Sequence, residues 1–174
     1  MENVKYNTNS PGLLLETAKS EYDNEHNRTS VIDSKTSIAL PIISTYFLAL
    51  AQMNDYKTIF TFNINSFKDL IIPILMFLTY TSSLALELIA VIMLAKVISM
   101  KDYNTIKVQD LYDNDYLAEE PIFLTIKLTN LYIEATNFNR KSNDLRVPLY
   151  KKGWLLTVVS IVLFVIYIII KNNI

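Results

Sequence analysis

The chain has 174 residues and a formal net charge of -1, and 51% of its residues are hydrophobic. This balance excludes a global field that would attract nucleic acid or anionic lipid. With no cysteine and a single histidine, His26, the sequence predicts no disulfide, no metal site and no other cofactor. Two glycines, Gly12 and Gly153, are too few for a glycine-rich phosphate-binding loop. Frequent Asn, Ile, Lys and Tyr indicate an AT-rich bacterial genome.

The first predicted element is a long helix in an N-terminal segment, 1–36, which we expect to be cytosolic. The Pro11-Gly12 pair predicts that this helix begins at Leu13. No glycine or proline follows before Pro41, so the helix is expected to continue into the membrane. The acidic stretch before the first apolar run does not have the pattern of a cleaved signal peptide.

Three apolar runs predict membrane spans, since a bilayer core of about 30 Å needs about 20 apolar residues as helix. The second run is broken by a single carboxylate, Glu87, and the third carries no charge before Lys171. We therefore predict an all-α membrane protein with three transmembrane helices and long cytosolic helical extensions. The predicted segments are a transmembrane hairpin at 37–100, with spans at about 38–53 and 70–95, and a third transmembrane helix at 153–174.

The region between the second and third spans, 101–152, is expected to be cytosolic and helical. Its first part, 101–120, is irregular and acidic, which predicts a solvated linker or a short helix. After Pro121, apolar residues follow steps of four and three, a pattern typical of a helix buried against other helices. Packing on the first helix of the same subunit and coiling against copies in an oligomer both remain open. The residues of this predicted apolar seam are Leu124, Leu128, Leu131, Ala135, Phe138, Leu145 and Leu149.

The distribution of Lys and Arg predicts the orientation in the membrane. If the N-terminus is cytosolic, only Lys57, Lys68 and Lys171 lie outside, and the other 13 of the 16 Lys and Arg residues lie inside. We predict a protein of the bacterial inner membrane with a cytosolic N-terminus and an external C-terminus.

Glu87 is the first candidate functional residue, because a charge in mid-span costs roughly 2.5–3.5 kcal/mol unless it faces protein or water. It aligns with Ser83 and Tyr80 on one helical face, at steps of four and three. These three residues are predicted to line a pore in an oligomer, where a ring of Glu87 attracts cations. A proton relay and a structural contact between helices remain open alternatives. The structural contact is expected with Ser44, Thr45 or Tyr46 of the first span.

Basic residues near the spans form the second candidate group. They are predicted to bind a phosphate-bearing signal, and Tyr132 and Phe138 are available to stack on its bases. The alternatives are anchoring at the interface, attraction to membrane lipid, and a structural charge network that includes Asp33 and Asp144. The predicted signal-binding residues are Arg28, Lys35, Arg140, Lys141 and Arg146.

Two short motifs carry a resemblance to known proteins. The first is Arg28 followed by Asp33-Ser34-Lys35 before a span, and the second is Tyr132-Ile133-Glu134-Ala135 followed by Asn139, Asn143 and Arg146 before Trp154. This arrangement resembles small transmembrane effectors of bacterial antiphage defence, of the SLATT and Pycsar types. The resemblance implies an oligomeric effector and a partner nucleotidyltransferase or cyclase that makes the controlling nucleotide. The similar Hailong type has a tetrameric channel that an oligodeoxyadenylate holds shut, so we expect a homo-oligomer of four copies.

The leading hypothesis for function is an oligomeric pore-forming effector of antiphage (abortive infection) defence, gated by a nucleotide or oligonucleotide. The alternative is a non-conducting membrane adaptor whose cytosolic helices dock a soluble partner. An enzyme is not expected, and no catalytic residue is predicted, because Glu87 has no histidine or second carboxylate beside it in the span for acid–base chemistry.

Overall fold

The computed structural model describes residues 10–53, 67–100, 102–106 and 120–173. Within these residues the regular secondary structure consists of three α-helices. They are α1 (Ser10–Gln52), α2 (Phe67–Ser99) and α3 (Pro121–Asn172). Each helix is long and apolar enough to cross a membrane. The predictions of an all-α fold and of three helices that could span a bilayer are therefore confirmed.

The helices run through prolines at which the sequence suggested boundaries. α1 begins at Ser10, and Pro11 lies in its first turn, where the missing N–H and fixed φ of proline are tolerated. α3 continues through Pro148, so the predicted amphipathic helix and the predicted third span are one element of 52 residues. The predicted linker falls mostly outside the described residues, which include only 102–106 and Glu120 of it. Of the predicted segment between the first two spans, 54–69, residues 54–66 also lie outside the described residues, and 67–69 belong to α2.

The described residues divide into two compact units, and α1 and α3 contribute to both. The polar unit contains α1 up to Asp33, residues 100 and 102–106, and α3 up to Arg146. The apolar unit contains α1 from Ser34, the whole of α2 to Ser99, and α3 from Val147.

The apolar unit has two hydrophobic clusters. One is formed by Ala39 and Ile43 of α1 with Ala90 and Leu94 of α2, and Trp154 of α3 packs against it. The other is formed by Met76 and Tyr80 of α2 with Tyr167 of α3. The buried positions of α2 recur at steps of three and four, which is the spacing of helices packed in a bundle.

The polar unit is packed differently from the sequence-based expectation. Phe138 and Leu145 of the predicted apolar seam are 48% and 53% exposed, so their predicted burial is wrong for a single chain, while Ala135 is buried. The buried seam of α3 lies one position further round the helix. Its members are Thr136, Asn139, Asn143 and Arg146, again at steps of three and four. Directional polar contacts therefore replace a leucine-rich core in this unit.

Candidate functional site

Five polar side chains from all three helices meet inside the apolar unit, and we call them the polar layer. Ser83 and Glu87 stand one turn apart on α2 and are fully buried. Thr157 and Ser160 are buried on α3, and Tyr46 is half-buried on α1. Because these positions follow the same three–four spacing as the apolar core, the packing that builds the bundle also brings the polar side chains together.

Ser83 and Ser160 fasten α2 to α3 by reciprocal hydrogen bonds. The Ser83 hydroxyl donates to the Ser160 carbonyl oxygen at 2.9 Å, and the Ser160 hydroxyl donates to the Ser83 carbonyl oxygen at 2.9 Å. The two hydroxyl oxygens are 3.0 Å apart. Small side chains permit this close approach of two helix backbones, as is common between helices in membranes.

Glu87 is held by few partners for a buried carboxylate. Thr157 Oγ1 donates to Glu87 Oε1 at 3.4 Å. Among the described residues, the buried side-chain polar atoms without a hydrogen-bond partner are Glu87 Oε2 and the hydroxyl oxygen of Tyr46. The Tyr46 hydroxyl nevertheless lies near the side chains of Ser160, Ser83 and Glu87, and Ser160 also lies near Glu87. Two buried oxygens of the polar layer therefore have no hydrogen-bond partner.

The partner of Glu87 differs from the expected one. The structural alternative placed its contact on the first span. Tyr46 of that span lies near Glu87 without a hydrogen bond to it, and the hydrogen bond described above comes from Thr157 of α3. Thr45, one of the expected partners, is exposed. Sequence reasoning missed Thr157 and Ser160 because the third run was considered only for its length and lack of charge. They are the only Thr and Ser of that run, and their spacing of three was the available signal.

Tyr80 binds the end of α1 and is not directed to the outside of the bundle. Its hydroxyl lies 2.7 Å from the Leu50 carbonyl oxygen and 2.8 Å from the Met53 carbonyl oxygen, and its single proton can be donated to either. Carbonyl groups at a helix C-terminus have no partner within the helix, so this side chain caps α1. Its ring also packs on Tyr167, with the ring centroids 5.2 Å apart.

The three predicted pore-lining residues are thus all buried within the apolar unit of one chain. Tyr80 contacts α1, Ser83 contacts α3, and Glu87 contacts α3. The two hydrophobic clusters occupy α2 positions on both sides of this layer, with Met76 before it and Ala90 after it. The layer is therefore enclosed by apolar side chains along the bundle.

A second polar site lies in the polar unit and is centred on Glu25 of α1. Its carboxylate accepts hydrogen bonds from Arg28 at 3.4 Å and, across the helix pair, from Arg140 at 3.4 Å. The amide of Asn143 donates to the same carboxylate at 3.0 Å. The Thr29 hydroxyl lies 3.0 Å from the Glu25 carbonyl oxygen and 3.1 Å from the Asn143 side-chain oxygen, and its single proton can be donated to either. A nearly buried carboxylate is thereby supplied with three donors, as its desolvation requires.

Two further ion pairs involve the carboxylates predicted to form a charge network. Arg28 pairs with Asp144 at 2.7 Å, and this hydrogen bond, opposed by burial and helped by Glu25, raises the pKa of Arg28 above its usual value. Arg146, whose side chain is 1% exposed, pairs with Asp33, whose side chain is 25% exposed. Both pairs join α1 to α3.

The predicted signal-binding residues do not form one open basic site. Arg28, Arg140 and Arg146 are all engaged with carboxylates, whereas Lys35 and Lys141 are exposed and Lys35 belongs to the apolar unit. Arg140 also pairs with Glu21 at 3.3 Å. The cluster around Glu25 therefore contains two arginines and the three carboxylates of Glu21, Glu25 and Asp144, an excess of one negative charge.

Residues 102–106 dock onto the polar unit through Asn139. The Asn104 backbone N–H donates to Asn139 Oδ1 at 2.8 Å, and the Asn139 amide donates to the Asn104 carbonyl oxygen at 3.1 Å. The Tyr103 hydroxyl oxygen lies 2.8 Å from His26 Nδ1, and the Tyr103 ring lies beside the ring of Tyr22. Burial raises the pKa of the Tyr103 hydroxyl, and its interaction with the Tyr22 hydroxyl raises that pKa further.

The two aromatic residues predicted to stack on bases have different surroundings. Tyr132 packs edge-on against Tyr22, with their centroids 5.5 Å apart. Phe138 borders an open pocket of about 350 Å³ together with Asp102, Tyr103 and Asn104. Of these two residues, only Phe138 therefore borders the pocket.

Among the described residues, no group of three or more His, Cys, Asp or Glu side chains is arranged to hold a metal ion. A search against known protein families, curated proteins and solved structures finds no match for this chain. The two polar sites and the arrangement of the helices are therefore the features that bear on function.

Proposed function

We propose that this chain is an oligomeric membrane effector of bacterial antiphage defence that makes the inner membrane permeable to ions. The observation that carries the proposal is Glu87, a fully buried carboxyl group in an apolar helix with one oxygen unpartnered. Ionisable groups in such helices are rare, and they mark ion and proton pathways. The defence class and the assembly of four copies follow from the resemblance of the motifs at Arg28 and Asp33.

The arrangement of α2 corresponds to a closed state in this proposal. Tyr80, Ser83 and Glu87 face the helices of their own chain, and apolar clusters enclose the layer. Opening requires α2 to part from α1 and α3 and to turn Glu87 toward an axis shared with neighbouring copies. Oligomerisation is needed because three helices are too few to surround a column of water.

The controlling signal, a nucleotide or oligonucleotide, is proposed to act on the ion pairs of the polar unit. Its phosphates would compete with Asp144 for Arg28 and with Glu21 for Arg140, since both pairs are partly exposed. Bidentate binding of phosphate by arginine makes such an exchange favourable in geometry, although the local excess of negative charge opposes it. A partner nucleotidyltransferase or cyclase is proposed as the source of the signal.

Ion flux tests this proposal. The purified chain is reconstituted in liposomes, and the collapse of a cation gradient is followed by a potential-sensitive dye, with and without candidate nucleotides. We expect flux in at least one condition, and Glu87→Gln should reduce it or change its ion selectivity. Glu134→Gln, at an exposed position of α3, is the matched control and should leave flux unchanged. No flux under any condition would count decisively against the pore.

A non-conducting membrane adaptor is the second candidate, and one observation favours it. The side chains expected to line a pore are all occupied in contacts between helices of one chain, as in a purely structural bundle. The adaptor would dock a soluble protein on its polar unit. In that case Glu87→Gln leaves membrane potential unchanged in every condition, whereas charge reversal at exposed Lys141 weakens capture of the partner.

The proposed orientation has a direct test because the chain has no cysteine. Single cysteines are introduced at the exposed positions Ser20 and Asn173. In intact cells a membrane-impermeant maleimide should label Asn173→Cys and not Ser20→Cys once the outer membrane is permeabilised. The opposite labelling pattern would reverse the proposed topology.

A further inference from the structure

The polar layer contains a carboxylate and four hydroxyl groups but no basic side chain. Among the described residues of the apolar unit, none of the lysines is buried. Lys96 is the lysine of α2 nearest to Glu87 in the chain, and it lies nine residues away, a rise of about 14 Å along the helix. The counter-charge for an ionised Glu87 must therefore come from something that binds in the layer.

A proton alone leaves the hydrogen bonding of the layer incomplete. A protonated Glu87 Oε2 would be a donor, and the structure shows no hydrogen-bond partner for that atom. The Tyr46 hydroxyl would remain unpartnered as well. An unsatisfied buried polar group is destabilising, and the layer would contain two of them. A small cation between the two oxygens would satisfy both, because each offers a free lone pair.

The geometry points to a binding site for one small monovalent cation, Na⁺, between Glu87 and Tyr46. The available ligands are all oxygens, which hard cations prefer, and the single carboxylate matches a single positive charge. Thr157, which already contacts Glu87 Oε1, completes the carboxylate side of the site. The apolar clusters on both sides exclude bulk water, so the cation is occluded within one subunit. This site does not depend on the proposed pore.

Reaction with a hydrophobic carbodiimide tests the site on the full-length chain in detergent or lipid nanodiscs. The reagent modifies membrane-embedded carboxyl groups in their protonated form, and peptide mass spectrometry locates the product. We expect modification at Glu87 that slows as Na⁺ replaces choline at constant pH and ionic strength. Glu134, exposed on α3, should show no such protection by Na⁺.

Variants of the proposed ligands sharpen the test. Thr157→Ala should raise the Na⁺ concentration for half-protection by about tenfold, the value for loss of one hydroxyl contact of about 1.4 kcal/mol. Thr45→Ala is the matched control, because Thr45 is an exposed threonine of the same unit. Tyr46→Phe should act like Thr157→Ala, with Tyr150→Phe as its control. These pairs keep the test open if one variant does not fold.

Three results would overturn the site. They are a modification rate at Glu87 that follows pH but not Na⁺, equal protection by Na⁺ and choline, and unchanged half-protection in both ligand variants. The first would identify a proton with a bridging water as the occupant. Protection by Na⁺ without flux in liposomes would support the site and count against the pore, so the two proposals fail separately.

Discussion

Removing the carboxylate of Asp33 should destabilise the polar unit, because it leaves the buried guanidinium of Arg146 without this counter-charge. Asp33→Asn keeps the shape of the side chain and removes its charge. Breaking a buried ion pair by removing one partner costs about 3–5 kcal/mol. Arg146 is 1% exposed but Asp33 is 25% exposed, so water screens part of the interaction. We therefore expect the loss in the free energy of unfolding to lie at the lower end of this range, about 3 kcal/mol. This corresponds to roughly a hundredfold change in the unfolding equilibrium constant.

Limited proteolysis and thermal unfolding of the purified chain measure this effect. Asp144→Asn is the matched control, since it removes the carboxylate of an exposed pair with Arg28 and should cost less than about 1 kcal/mol. The double variant Asp33→Leu/Arg146→Met should be close to wild type, because apolar groups replace a buried pair at little cost. Equal stability of Asp33→Asn and Asp144→Asn would refute the reasoning.

Three other predictions concern contacts at Gly153, Tyr80 and Tyr103. A Cβ at Gly153 would lie 3.2 Å from Leu94 side-chain atoms, so Gly153→Leu should overpack the bundle and cost about 1–3 kcal/mol; an unchanged Tm would contradict this. Tyr80→Phe removes the cap of α1 at a cost of about 1 kcal/mol, and hydrogen exchange near Leu50 should accelerate, whereas unaltered exchange would exclude a capping role. The pKa of Tyr103 is raised in the folded chain, so the folded state favours the neutral hydroxyl. The contribution of this hydroxyl to the free energy of unfolding is complete below the ordinary tyrosine pKa of about 10 and is lost as pH rises further. Tyr103→Phe should reduce that alkaline loss of stability in pH-dependent unfolding, and an identical pH profile would argue against it.

The sequence was sufficient for the helices because their signals are local. The length and hydropathy of the three apolar runs predict three helices that could span a membrane. The absence of Gly and Pro between Gly12 and Pro41 predicts that the first helix continues into the first run. Glu87 was identifiable because a lone charge in an apolar run is costly wherever the helix packs. Pro148 was ambiguous, since proline marks both helix starts and tolerated interior positions, and only the surrounding packing decides between them.

The packing face of α3 could not be predicted from hydrophobicity. The apolar stripe through Phe138 and Leu145 and the polar stripe through Asn139 and Arg146 have the same period and differ by one position. Choosing the apolar stripe assumes a core of leucines, but the partner helix presents Glu25 and other polar groups, and these need donors. That requirement becomes visible only when residues more than a hundred positions apart in the chain are brought together.

The clamp that Asn139 forms on Asn104 has a consequence for sequence drift. The side-chain amide of Asn139 bonds to the backbone of residue 104, donating one hydrogen bond and accepting another. These two hydrogen bonds therefore do not depend on the side chain at position 104, and any residue with a backbone N–H can form them. Only proline at position 104 would remove the backbone donor. At position 139, a side chain with neither a donor nor an acceptor would lose both hydrogen bonds.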